Sequence, residues 1–140
     1  MGERPGSILF VCGMNAIRSP MAENLARHLF PSIFTQSAGV RCGERDPFVV
    51  AVMDEIGLDL SKHRPKELDE LEDDYFDLII TLAPEAHHKA LEFTRTMAVD
   101  VEYWPTQDPS LATGSRDQIL DSYRQVRDLL QMKIGKRFTR

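Results

Sequence analysis

The chain has 140 residues, enough for one domain over residues 1–140 that buries roughly two-thirds of its unfolded surface around a single core. Apolar residues make up 42% and charged residues 28%, a balance that excludes both a disordered chain and a membrane-embedded one. Seventeen Lys and Arg against 22 Asp and Glu leave a net charge of −5, which argues against a nucleic-acid partner, and the locally basic end from Lys133 reads as a frayed terminus.

The first apolar run, Ser7 to Cys12, reads as a buried strand. Ser19 as N-cap, Pro20 as first helical residue and Glu23 in the first turn then announce a helix. In that helix Met21, Leu25 and Leu29 recur every four residues and face the sheet, while Ala22 and Ala26 allow close approach. Further strands are expected over Ile33 to Ala38, Phe76 to Leu82 and Val99 to Trp104. A second helix is expected from about Pro47 to Ile56, stopped by Gly57, and His87-His88 on an exposed helix face. The last helix opens with a capping box at Ser115–Gln118 and carries Ile119, Tyr123, Val126, Leu130 and Ile134 on one face. Strands alternating with helices imply an α/β chain: a three-layer sandwich around a four-stranded parallel sheet, with ligands beyond the carboxyl ends of the strands.

Cys12 falls at such an end. Gly13, Met14, Asn15, Ala16 and Ile17 must loop from it over a helix N-terminus to reach Arg18 and Ser19. Backbone N–H groups in such a loop, with the positive end of the helix dipole, make a concave oxyanion site and favour a thiolate. Asn15 suits the loop because its side chain tolerates left-handed backbone. Arg18 offers a planar fork to two equatorial phosphoryl oxygens. A thiolate that takes a phosphoryl group from an ester needs an acid for the leaving oxygen, and Asp108 is the candidate. It sits in the proline-bounded loop Trp104-Pro-Thr-Gln-Asp-Pro109, after the last strand and at the same edge as Cys12; Asp-Pro is also an ordinary turn dipeptide.

Two cysteines do not make a disulfide framework, and a reactive thiol needs a reducing compartment, so a cytoplasmic protein is expected. No apolar stretch near the start is long enough for a signal peptide, and residues 78–83 are too few to cross a bilayer. Met1-Gly2 begins like a myristoylation site, but Gly6 stands where Ser or Thr is required. The four histidines have no metal-ligand spacing with either cysteine, so neither a metal nor a cofactor is expected.

Cys12-Gly-Met-Asn-Ala-Ile-Arg18-Ser-Pro20, with Asp108-Pro109 far downstream, resembles the low-molecular-weight protein tyrosine phosphatases and their arsenate reductase relatives. Gln36-Ser-Ala-Gly39 and the segment Gly57 to Arg64 extend the resemblance over nearly the whole chain. It implies a cysteine-dependent phosphatase acting on phosphate monoesters, phosphotyrosine in proteins above all, through a phosphocysteine. Cys12 would be the nucleophile, Arg18 the phosphate ligand and Asp108 the acid and then the base. Residues 13–19 would cradle the phosphate, Ser19 would donate to the thiolate, and Asn15, Ser37 and His63 would hold the loop.

The chain departs from that pattern at several positions. Ile17 replaces the second loop cysteine of many members, so disulfide shielding of Cys12 is lost. The segment Gly39 to Pro47 is short and lacks an aromatic residue, and Ser110 and Leu111 follow Asp108-Pro109 where phosphotyrosine-selective members place tyrosines. Ala83 stands where an acidic residue often follows the third strand. Arsenate reduction is the rival on this scaffold, but its thioredoxin-linked form needs two more cysteines after the third strand, leaving only Cys42 as a resolving thiol. A phosphocarrier domain, or a phosphate-binding regulatory module with weak turnover, completes the alternatives; Arg18 and Asp108 argue against the carrier, which must not hydrolyse its phosphocysteine.

Overall fold

The computed structural model describes residues 4–72 and 75–139. Four strands, β1 (Ser7–Cys12), β2 (Phe34–Gly39), β3 (Leu78–Thr81) and β4 (Asp100–Tyr103), form one parallel sheet in the order β2-β1-β3-β4. Four helices connect or follow them: α1 (Arg18–Leu29), α2 (Pro47–Asp54), α3 (Pro84–Phe93) and α4 (Arg116–Phe138).

Side-chain alternation along β1 builds the three layers. Ile8, Phe10 and Cys12 point into a core with Met21 and Leu25 of α1, Val52 of α2 and Leu130 of α4, while Leu9 and Val11 point into a smaller core with Ala86 and Ala90 of α3. The chain leaves β1 toward β2 and later returns on the other side of β1 as β3. The topological switch therefore lies at the carboxyl end of β1, where Cys12 sits.

The strands fall within two residues of the sequence expectation at every end, and the capping box at Ser115 is present, with Ser115 Oγ accepting from the Gln118 N–H and Gln118 Oε1 accepting from the Ser115 N–H. Four expectations are corrected. Helix α1 begins at Arg18 with Ile17 in the cap position and no side-chain cap, because the Ser19 hydroxyl is turned inward; Pro20 is then the third helical residue and Glu23 lies beyond the first turn. Helix α2 ends at Asp54, two residues before Ile56, and Gly57 takes φ +80° in the turn that follows. The basic end is not frayed: α4 continues to Phe138 because Ile134 and Phe138, one turn apart, are buried in the main core, and Arg4 donates to the Phe138 carbonyl at 3.2 and 3.1 Å. His87 is half-buried, with Nδ1 2.9 Å from Thr81 Oγ1 and its ring stacked on Tyr103; only His88 fits the exposed-face reading. Met1 and Gly2, the failed myristoylation start, and Arg140 lie outside the described residues. Among the described residues no helix is long and apolar enough to cross a membrane.

Candidate active site

The loop from Gly13 to Ile17 wraps the amino end of α1, and Asn15 at φ +55° supplies the left-handed bend expected of it. Since no side chain caps α1, its first amides are left facing the loop. The Cys12 thiol, 2% exposed, lies at the floor of a cavity of about 110 Å³. Gly13, Met14, Ala16, Ile17 and Arg18 line its sides, and Asp108 and Ser110 stand at its rim. Residues 96 positions apart in the chain, Cys12 and Asp108, thus face one small space.

Arg18 Nη1 donates to the Thr106 carbonyl at 2.9 Å, which ties the phosphate-loop arginine to the segment carrying Asp108. Asp108 caps the short 3-10 turn Pro109–Leu111: its Oδ1 accepts from Ser110 N–H at 2.9 Å and from Ser110 Oγ at 2.7 Å. Both bonds fall on one oxygen, and among the described residues none falls on Oδ2.

Behind the loop a buried chain of hydrogen bonds reaches the sulfur, and its directions follow from what each group is able to donate. Glu23, 3% exposed, pairs with Arg27 at 2.6 Å and accepts the Ser37 hydroxyl at 2.6 Å. Ser37 Oγ, its proton committed, accepts from Asn15 Nδ2 at 2.9 Å. The same Nδ2 donates to Ser19 Oγ at 2.9 Å, and the Lys66 N–H on Asn15 Oδ1 at 3.0 Å fixes which way the amide faces. The Ser19 proton is left with Cys12 Sγ at 2.9 Å or the more distant Ala38 carbonyl at 3.5 Å. The geometry therefore aims an O–H at the sulfur.

His63 is half-buried with Nε2 2.8 Å from the Asn15 carbonyl, so Nε2 carries the proton; burial holds this histidine below its usual value. Asn15, Ser19, Ser37 and His63, the residues that the resemblance implies as loop support, thus all meet behind the loop. Gly39 matters for the same packing. A Cβ there would meet the Arg41 carbonyl at 2.5 Å, Asn15 N at 2.7 Å and the Met14 carbonyl carbon at 2.8 Å, all backbone.

Several participants were not read from the sequence. Glu23 was taken for a helix-start residue and is the buried anchor of the chain just described. Backbone bonds from Val40 N to Cys12 O (3.1 Å), Arg41 N to Gly13 O (2.8 Å) and Gly43 N to Met14 O (3.0 Å) lay residues 40–43 beside the phosphate loop. They place Arg41 across the cavity mouth, where it forms a bidentate pair with Glu85 at 2.7 and 3.0 Å. The pairing and the charge of Arg41 lower the Glu85 carboxyl, and Arg41 is raised in turn. Ala83 is not acidic, but two residues later α3 delivers a carboxylate to the same edge. Applying the carboxyl-edge argument to the segment after β3 would have found it. Cys42 is exposed, with Sγ 3.1 Å from the Pro65 carbonyl, and does not line the cavity. Among the described residues no three His, Cys, Asp or Glu side chains gather as a metal site would require.

The family description "low molecular weight phosphotyrosine protein phosphatase" matches residues 7–139. The chain is 33% identical over 135 residues to an arsenate reductase of Bacillus licheniformis, covering 96% of this chain and 93% of that protein. Its structure is similar to that of the tyrosine phosphatase AmsI of Erwinia amylovora, with a TM-score of 0.78, 25% identity and coverage of 100% of this chain and 97% of that one. It is equally similar to the YwlE arginine phosphatase of Geobacillus stearothermophilus, with a TM-score of 0.78, 25% identity and coverage of 94% and 90%. With the match running from β1 to the end of α4, the chain belongs to the low molecular weight phosphotyrosine protein phosphatase family.

Proposed function

We propose that the protein hydrolyses phosphate monoesters, with phosphotyrosine in proteins the foremost class, through a phosphocysteine on Cys12. The observation that carries this reading is the convergence of Cys12, Arg18, Asp108 and an uncapped helix end on one small cavity. The thiolate, held by the Ser19 hydroxyl, attacks phosphorus as the P–O bond to the leaving group breaks. Arg18 and the amides of residues 13–19 take up charge on the equatorial oxygens, supplying the positive field that a metal supplies elsewhere. Asp108 Oδ2 protonates the departing oxygen. In the second step Asp108 removes a proton from water, the water oxygen attacks phosphorus, the S–P bond breaks, and phosphate leaves with the thiolate restored.

The test is metal-free hydrolysis of para-nitrophenyl phosphate under reducing conditions. Cys12→Ser is expected to abolish turnover and Asp108→Ala to lower kcat by about 10²-fold or more. No turnover by well-folded wild type would overturn the proposal.

Arsenate reduction is the second reading, favoured by the name of the Bacillus relative. It requires a second thiol to close on the oxidised Cys12, and Cys42, outside the cavity, is the only other one in the chain. Arsenate-dependent oxidation of glutathione or thioredoxin, compared between wild type and Cys42→Ser, separates the two readings.

A further inference from the structure

A cavity of about 660 Å³, larger than the one above Cys12, lies elsewhere in the structure. It opens on the far side of β4, between Glu102 to Pro105 and the last turns of α4, and shares no lining residue with the catalytic cavity. The structure assigns to it a second binding site, for a small planar aromatic anion.

Three observations carry the assignment. The first is charge. Lys133, Lys136 and Arg137 line the cavity against one carboxylate, Glu102, so the cavity is net positive in a chain of net charge −5. Glu102 is committed to Arg137 at 2.8 Å, and among the described residues no ion pair involves Lys133 or Lys136. The helix dipole accounts for cations at the end of α4. It does not account for three of them at spacings of three and four residues on one face, where like charges repel. That repulsion is relieved when an anion sits among them.

The second is the wall. Trp104 supplies aromatic surface and is held in place, whereas the Tyr103 ring, one residue earlier on β4, turns to the opposite face of the sheet. Tyr103 stacks on His87 with ring centroids 4.8 Å apart. Trp104 packs against Phe10 and Phe138 at 6.3 and 6.5 Å and bonds Glu102 through Nε1 at 3.2 Å. A preformed aromatic wall beside cations selects a flat ring bearing a negative group over a simple inorganic ion. The third is size: the volume lies in the range of sites that take small organic ligands. Such an occupant would touch Pro105, one residue before the Thr106 carbonyl that holds Arg18 and three before Asp108.

Trp104 is the only tryptophan, so the single indole N–H signal in an amide correlation spectrum reports on this cavity. Quinoline-2-carboxylate is the probe, because it is planar, anionic and carries no phosphoryl group. Saturable displacement of the indole signal is expected at up to ~1 mM probe, weakened about fivefold or more in Lys133→Gln/Lys136→Gln and unchanged in Arg18→Ala. Both lysines are at least partly exposed, so the double variant is expected to keep its fold, which its remaining cross-peaks verify. Absence of displacement, equal affinity in the lysine variant, or loss of binding in Arg18→Ala would each overturn the assignment. None of these outcomes depends on whether the enzyme is a phosphatase.

Discussion

Replacing Glu85 by glutamine is expected to tighten inhibition by inorganic phosphate about fivefold, although Glu85 touches neither Cys12 nor Arg18. Its carboxylate lies so near the phosphate loop that a Cβ on Gly13, the residue after Cys12, would meet Oε1 at 2.5 Å. One negative charge ~7 Å from a bound dianion costs ~1 kcal/mol at the dielectric of water and ~2 kcal/mol at half that value. Arg41 cancels part of this, leaving about 1 kcal/mol, which is a factor of about five in affinity. Freeing Arg41 works in the same direction, since its guanidinium then faces the cavity unpaired. The assay is competitive inhibition of para-nitrophenyl phosphate hydrolysis at low ionic strength, repeated in 0.5 M salt, where screening should erase most of the difference. Arg41→Gln leaves Glu85 unpaired at the mouth and is expected to weaken phosphate binding. Unfolding midpoints of both variants should stay close to wild type, because the pair is largely exposed. An unchanged or weaker phosphate constant in Glu85→Gln would refute the electrostatic reading of the pair.

Other outcomes follow from the same geometry. Gly39→Ala drives a methyl group into three backbone atoms and should lower urea-unfolding stability by about 2 kcal/mol or more. His63 is held below its usual value by burial, so the unfolded chain takes the proton first as pH falls. Its contribution is complete above pH 6.5 and is lost as pH drops below that value through the lower folded one; His63→Gln should flatten this part of the stability profile. Glu55, held at about 2 by Arg124 and Arg127, contributes fully above pH 4.5 and loses its contribution as pH falls toward 2, so Glu55→Gln should flatten the acid limb. Loss of the leaving-group acid matters least where the leaving group is a good one. Asp108→Asn should therefore reduce turnover of an alkyl phosphate about 10²-fold more than that of para-nitrophenyl phosphate.

What could be read from the sequence was what is local. The strand, loop and helix from Ser7 to Leu29 are contiguous, and each chemical group there has its neighbours within a few residues. Asp108 was legible because the ends of parallel strands share an edge, which converts a position in the chain into a place in the fold. The Arg41–Glu85 pair was not legible, since it joins a loop to the first turn of α3, 44 residues apart, through side chains that composition alone assigns to the surface. The end of α4 was misread because a run rich in Lys and Arg obscured Phe138, which continues the face of Ile134 by one turn and whose burial holds the last turns in place.

The misreading of Ser19 teaches the most about how the loop works. A serine before a proline and a helix invites the capping role, and a hydroxyl that capped the amides of α1 would occupy the donors that a phosphate needs. Turned inward, it leaves those donors free and serves the sulfur instead. That orientation is not a property of Ser19 alone. It is imposed by Asn15, whose amide the Lys66 N–H holds so that Nδ2 donates to Ser19 and leaves the serine proton for Cys12, while Glu23 accepts the Ser37 hydroxyl and so keeps Ser37 an acceptor for the same Nδ2. A buried carboxylate is expensive, and this one is retained with a single cation partner at 2.6 Å whose far side is half exposed. Glu23→Gln would keep the shape but could present an N–H to Ser37, whose own proton is then stranded because Asn15 Nδ2 is unable to accept it, and the support of Asn15 behind Ser19 loosens. Stability should then change less than reactivity. Alkylation of Cys12 by iodoacetamide at neutral pH should slow, while a Cys12 that reacts as fast in Glu23→Gln as in wild type would show that Glu23 does not act on the sulfur through the chain.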